Sequence, residues 1–288
     1  MEFHDAFRAM DTDIDVFVEC ATNPAGAFPQ ARLAFEQQEQ RFSRFRETSL
    51  LSRLNRGETV ADPGLVEAVE MAIDAWETTG GRFNPMVLPA LRAAGYDRTF
   101  REVAGGRAKP LPAPNPAACI EVNADTVRLT GGAMDLGGLV KGWTADLVAE
   151  ALAVRWGNAM VNAGGDIRCV GSDGAGPGWA LEVAGIDADS VAWAGRVTGA
   201  IATSTTLKRR WTMDDGRPAH HLIDPATGLP SDSEFVQVTA RAEECWIAEV
   251  WAKAVLIGGP EMRERAEEQG IALVTFDAWG RAVFSGDW

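Results

Sequence analysis

An acid and a base stand one helical turn apart in "WIAEVWAKAVLIGG", Trp246 to Gly259, a stretch otherwise apolar on nearly every side. Glu249 and Lys253 are flanked by Trp246, Leu256 and Ile257 rather than by a continuing polar stripe, and Gly258-Gly259-Pro260 is expected to end the helix. One reading is an ordinary i,i+4 ion pair in the favourable Glu-before-Lys order. The other is a site: a carboxylate is a hard oxygen donor, and a lysine ammonium is a compact point charge that binds phosphate well.

Other segments carry chemistry of a compatible kind. In "MDLGGLVKGWTADLVAEAL", Asp135 and two glycines precede a helix with Lys141 in its first turn. Free N–H groups and an ammonium there make a seat for phosphate. "VNAGGDIRCVG" puts Gly164-Gly165 between two strand runs, where glycine lets backbone approach a ligand or another strand. Taken alone, each is more commonly a structural turn. "ATSTTLKRRW" adds hydroxyls and the one notable basic cluster, Lys208-Arg209-Arg210. "HHLIDPATGLP" holds two of the three histidines of the chain. On an extended segment His220 and His221 point to opposite faces, so at most one can line a given pocket.

These segments need a frame. The 288 residues, 46% hydrophobic and 24% charged, match an ordinary globular composition and suffice for one large domain. A net charge of -14 argues against broad contact with nucleic acid or an anionic membrane, so an anionic ligand needs local cations. Cys20, Cys119, Cys169 and Cys245 are isolated, which suggests neither a zinc site nor a disulfide framework. The acidic start "MEFHDAFRAMDTDIDVFVEC" shows no basic, apolar leader, and no apolar run of membrane-spanning length occurs; a cytoplasmic protein is expected. Residues 12–20 predict a strand, and 29–46 and 63–79 amphipathic helices opened by prolines. Four prolines and two glycines make 101–118 a loop. A strand over 126–129 and a helix over 139–152 follow. Strands are then predicted over 159–162, 167–170, 179–183, 196–202 and 235–240, with a final hairpin of 272–276 and 282–285 turning at Trp279-Gly280. The fold class expected is α+β, mostly antiparallel sheets with packed helices, in a single domain over 1–288 with no separable second domain.

In order and spacing, "RFSRFRETSLLSRLN", "GGRFNPMVLPALRAAGYD", "MDLGGLVKG", "VNAGGDI", "ATST", "HHLIDPATGLP", "VQVTARA" and "AEVWAKAVLIGG" resemble the FAD:protein FMN transferase (ApbE-like) family, from Met10 to Gly258. The resemblance implies a T-fold-like duplication. It also implies cleavage of FAD, release of AMP, and attachment of FMN by a phosphoester bond to a Thr or Ser of an acceptor protein. It marks Met10 and Phe45 as flavin contacts, and Arg82, Phe83, Asn84, Asp135, Gly138, Lys141, Gly164, Gly165, Asp166, Thr203, Ser204 and Leu222 as further FAD contacts. Asn84 stands where the family has Asp. His221 matches the histidine of the family's "HIIDP" motif and is the expected proton acceptor. The family carries Asp and, four residues on, Thr where this chain has Glu249 and Lys253; with the Gly138 carbonyl those residues hold Mg2+. An ammonium has no lone pair for a metal. The expectation is therefore that Lys253, held by Glu249, replaces the ion, the opposing reading being that Glu249 still reaches Mg2+. Two other functions share the pattern: an FAD pyrophosphatase giving FMN and AMP, and an FAD carrier that has lost catalysis.

Overall fold

The computed structural model describes residues 1–103, 105–187 and 190–288, so residue 104 of the predicted 101–118 loop lies outside the described residues. Its frame is an eight-stranded sheet whose spatial order equals the chain order, every neighbour antiparallel. The strands are β1 (Glu2–Ala9), β2 (Thr12–Glu19), β3 (Asn158–Ala163), β4 (Asp166–Val170), β5 (Gly199–Thr205), β6 (Phe235–Ala242), β7 (Ala272–Asp277) and β8 (Ala282–Ser285). The four principal helices are α1 (Ala27–Phe42), α2 (Pro63–Thr78), α3 (Val140–Trp156) and α4 (Cys245–Glu268).

The chain uses one plan twice: antiparallel pair, helical connection, antiparallel pair. In the first half β1–β2 leads through α1, α2 and α3 to β3–β4; in the second, β5–β6 leads through α4 to β7–β8. The β4–β5 pairing, with Ile201 opposite Ile167, joins the halves. This is the mixed, mostly antiparallel α+β class read from the sequence.

Local chemistry explains the principal elements. In "TDIDVFVE" Ile14, Val16 and Val18 are fully buried and alternate with the less buried Asp13, Asp15, Phe17 and Glu19, which fixes the register of β2. On that face Phe35, Ala31 and Ala27 of α1 and Leu152 and Ala149 of α3 form a core with Ala159 and Val161 of β3. Asp62 caps α2 through the Leu65 N–H at 2.8 Å, ahead of Pro63. Helix α4 packs on β5 and β6 through Ala248, Ala252, Val255 and Leu256. No side chain at its own N-cap serves it. Asp146 of α3 accepts the Cys245 and Trp246 N–H groups at 2.8 and 3.0 Å, bolting the start of one helix to the middle of the other.

Several expectations need correction. The helix from Cys245 does not end at Gly258-Gly259-Pro260. Gly259, at φ 67°, kinks it, and Pro260, acceptable in the first turn of a new helical segment, lets it run on to Glu268. The strand expected over 196–202 is two, Val191–Val197 and β5, broken at Thr198. The end of the 101–118 segment is not loop but enters a short helix, Pro116–Cys119, capped by Asn115. Strand β1 was not predicted. Among the described residues no helix is long and apolar enough to cross a membrane, and all four cysteines are free.

Candidate active site

A cavity of about 920 Å³ opens where the β1–β2 turn, the end of α1, the loop before α3, the β3–β4 turn, the end of β5 and one face of α4 meet. That volume lies toward the upper end for ligand clefts. All the residues that the family resemblance marks line it: Met10, Phe45, Arg82, Phe83, Asn84, Asp135, Gly138, Lys141, Gly164, Gly165, Asp166, Thr203, Ser204, His221, Leu222, Glu249 and Lys253.

At its centre is a charge cluster assembled from three elements. The Lys141 ammonium, in the first turn of α3, donates to Asp166 Oδ2 and to Glu249 Oε1, each at 2.5 Å. Glu249 Oε2 accepts the Gly142 N–H at 3.0 Å. Lys253 lies 3.7 Å from Glu249 Oε1 and makes its shorter contact, 3.0 Å, with the Gly138 carbonyl. Glu249 does pair with Lys253, as expected, but its shorter contact is with Lys141, far away in sequence. Lys141, expected at a phosphate, spends two donors on carboxylates.

The electrostatics follow from burial and these pairings. Burial works to raise the Glu249 carboxyl, but the Lys141 and Lys253 ammoniums outweigh it and hold the group below its usual range. Burial pushes Asp166 up to about 6, against the pull of Lys141. Burial also depresses Lys253, and Lys141 adds to this, with Glu249 opposing. Lys141 is raised despite its burial, because Asp166 and Glu249 together outweigh desolvation.

The residues do not fit a divalent cation as the resemblance implies. The Gly138 carbonyl and Glu249 Oε1, from the two residues that the resemblance assigns to it, both face ammoniums. Among the described residues no group of three or more His, Cys, Asp or Glu could hold a metal. A Cβ at residue 138 would collide with the Lys253 side chain, so glycine there is what lets the ammonium reach the backbone.

The two histidines separate as alternation predicts. His220 accepts the Leu222 N–H on Nδ1 at 3.3 Å, and its Nε2 faces the Ser231 carbonyl at 3.1 Å, which commits both nitrogens to structure. His221 lines the cavity, edge-on to Tyr96 with ring centroids 6.4 Å apart, and its buried Nδ1 has no protein partner. Burial, then the positive charges of Arg209 and Lys253, holds it well below the usual histidine range, so the ring is neutral at pH 7.

The walls are built by turns. Met10 and Asp11 take left-handed φ values of 51° and 56° in the two-residue β1–β2 turn, and the Met10 N–H donates to Glu39 at 3.1 Å. Gly164 has φ 69°, and a Cβ there would meet the Thr12 hydroxyl. Asn84 is engaged inward, accepting the Met86 N–H at 2.9 Å and donating to the Pro114 carbonyl at 3.1 Å. Arg82 leans on Asp224 at 3.4 Å. Thr203 shares a 2.9 Å hydroxyl contact with Thr239, and Leu222 packs into the core beneath α4. Asp135 accepts the Gly137 N–H at 2.7 Å and pairs with Arg44 at 3.0 Å. The sequence reading missed Arg44 and Tyr96. Arg44 stood within the quoted "RFSRFRETSLLSRLN", but nothing local to it signals its long-range partners.

The ApbE family model matches residues 10–275. The chain belongs to the ApbE family. Among its relatives, the FAD:protein FMN transferase of Vibrio cholerae serotype O1 is 30% identical over 252 residues, covering 83% of this chain and 73% of that one. The FAD:protein FMN transferase of Treponema pallidum is 27% identical, covering 78% and 69%. The ApbE fold is seen again in the crystal structure of the ApbE protein from Thermotoga maritima, with a TM-score of 0.89 at 24% identity over 99% of this chain and 97% of that one. The flavin transferase ApbE from Vibrio cholerae superimposes with a TM-score of 0.78 at 23% identity, with the same coverage.

Proposed function

We propose that this ApbE-family chain is a flavin transferase that cleaves FAD, releases AMP and attaches FMN by a phosphoester bond to a Thr or Ser hydroxyl of an acceptor protein. Its membership of the family and its relatives' activity support the reaction class. The observation that carries the residue assignment is the meeting, in one cavity, of a neutral His221 free of protein partners at Nδ1 with an ammonium seated on the Gly138 carbonyl.

The chemistry asks little covalent help of the protein. The acceptor oxygen bonds to the phosphorus of the FMN half, the bond from that phosphorus to the AMP oxygen breaks, and the hydroxyl proton leaves. Catalysis is then positioning and charge stabilisation. In this reading His221 takes the proton, since a neutral imidazole can accept one at pH 7. Lys253 faces the developing phosphate charge in place of Mg2+; the Lys141–Glu249 pair spares it full neutralisation by Glu249. Arg209, which pushes on His221, adds positive charge nearby. Met10 and Phe45 contact the flavin, and Arg82, Phe83, Asn84, Thr203, Ser204 and the Gly164-Gly165-Asp166 turn line the remainder. We place the protein in the cytoplasm, in keeping with four free cysteines.

One observation favours a second reading. An ammonium in place of a metal ligand also suits a carrier that binds FAD without cleaving it. Incubating the protein with FAD separates the readings. AMP together with a flavin-labelled acceptor supports transfer, AMP with free FMN indicates a hydrolase, and tight FAD binding without AMP identifies the carrier.

A further inference from the structure

We infer that Arg44 is a positioning residue that ties the aromatic wall of the cavity to its phosphate end, acting through Asp135 on the Gly137-Gly138 turn. The inference rests on the reading above for which end of the cavity takes the ring and which the phosphates.

Arg44 lies just beyond α1, its side chain 5% exposed. Its guanidinium carbon sits 4.1 Å from the Phe45 ring centroid and 4.5 Å from that of Tyr96. Nη1 donates to the Tyr96 carbonyl at 2.9 Å, and Nε pairs with Asp135 Oδ2 at 3.0 Å. The other oxygen of Asp135 holds the Gly137 N–H at 2.7 Å, and the next residue along presents its carbonyl to Lys253 at 3.0 Å. Tyr96 in turn meets the edge of His221. One guanidinium thus touches both the aromatic wall and the carboxylate that shapes the Lys253 seat.

The cost of placing it there argues for more than packing. A buried cation is expensive unless fully paired, and Nη2 of Arg44 is buried with no partner. An apolar side chain would fill the space between two rings without that penalty. A lysine could reach Asp135, but it lacks the planar face that stacks and the fork that also reaches the Tyr96 carbonyl. What the arginine adds is linkage. A ring that seats against Phe45 and Tyr96 holds Arg44, Arg44 holds Asp135, and the Gly138 carbonyl stays under Lys253.

The test is a double-mutant cycle on Arg44→Met and Asp135→Asn. It is read by FAD and FMN binding, from quenching of flavin fluorescence, and by AMP release at saturating FAD. If Arg44 acts through Asp135, each single change lowers AMP release about tenfold and shrinks the preference for FAD over FMN, and the double variant is no worse than the more severe single. Arg44→Lys, which keeps the stem and the charge, is expected to recover part of the FAD preference. Multiplying effects in the double variant, or an Arg44→Met protein that matches wild type in both readouts, would overturn the inference. Should the unaltered protein release no AMP, the transfer reading fails separately. The binding preference then decides the matter: the same loss in both singles and the double supports the linkage, and any other pattern overturns it. If Arg44→Met does not fold, Arg44→Lys alone decides, and a wild-type FAD preference and AMP yield in that variant count against the stacked linkage.

Discussion

Replacing Lys253 by Ala should disable the phosphate end of the site while leaving the fold nearly intact. Lys141, Lys253, Asp166 and Glu249 together form a cluster of two ammoniums and two carboxylates, so deleting one ammonium leaves a net negative charge facing the FAD phosphates. Glu249 is not stranded by the change, because Lys141 at 2.5 Å and the Gly142 N–H at 3.0 Å still hold it. The loss therefore falls on ligand and transition state. A unit charge about 4 Å from a phosphate oxygen contributes roughly 4 kcal/mol at an effective dielectric near 20, and a charge-assisted hydrogen bond alone about 1.5–3 kcal/mol. A penalty of roughly 2–4 kcal/mol corresponds to about a 30- to 1,000-fold fall in kcat/KM for AMP release. The assay is initial-rate AMP release across FAD concentrations, alongside thermal unfolding to confirm the fold. A Lys253→Ala protein within threefold of wild type in kcat/KM would refute the role given to this ammonium.

His221→Ala should leave FAD binding near its original strength and slow transfer by about 10²- to 10⁴-fold, whereas His220→Ala should mainly lower the melting temperature. The reverse pattern would show that the two faces have been misassigned. Because His221 is held well below its usual range, its proton-accepting form persists down the pH scale; the acid limb it imposes on the rate should lie well below pH 6.5, and a limb centred at or above 6.5 would contradict its burial. Glu249→Asp with Lys253→Thr should create oxygen ligands and make AMP release depend on added Mg2+, measured by titrating the metal into chelator-treated protein. Asp146, pushed by burial up to about 7, keeps its proton in the folded state where the unfolded chain has lost it; its contribution to stability is full below about 3.8 and is lost as pH rises through about 7. Denaturant unfolding of Asp146→Asn should show a flatter decline than wild type between pH 4 and 7, and parallel curves would contradict the assignment.

What the sequence disclosed depended on the range of the signal. Helices α2 and α3 and most strands were marked by proline starts, glycine stops and alternation, all local. Strand β1 was hidden because it lies at the sheet edge, where its residues alternate between exposed and half-buried and none is fully buried. Gly259-Pro260 read as a stop because a positive-φ glycine before proline ends most helices, and only packing of the following segment, through Met262 and Ala266, shows that it continues. At the site, the resemblance to the ApbE family marked the residues that line the cavity, and the glycine turns before α3 and between β3 and β4 were the local part of that signal. The pairings within it were not legible. The i,i+4 spacing favoured Glu249 with Lys253, while the partner that won, Lys141, is brought up by the contact of α3 with α4. Arg44 was invisible for the same reason, since its meaning depends on Tyr96 and Asp135.

The most direct test of a lysine standing in for a metal is the yield of AMP from FAD in the presence of an acceptor, with and without excess chelator. The account predicts equal AMP and equal flavin attached to the acceptor in both, for the unaltered protein. Loss of both products on chelation, restored by Mg2+, would contradict it and return Glu249 and the Gly138 carbonyl to the metal.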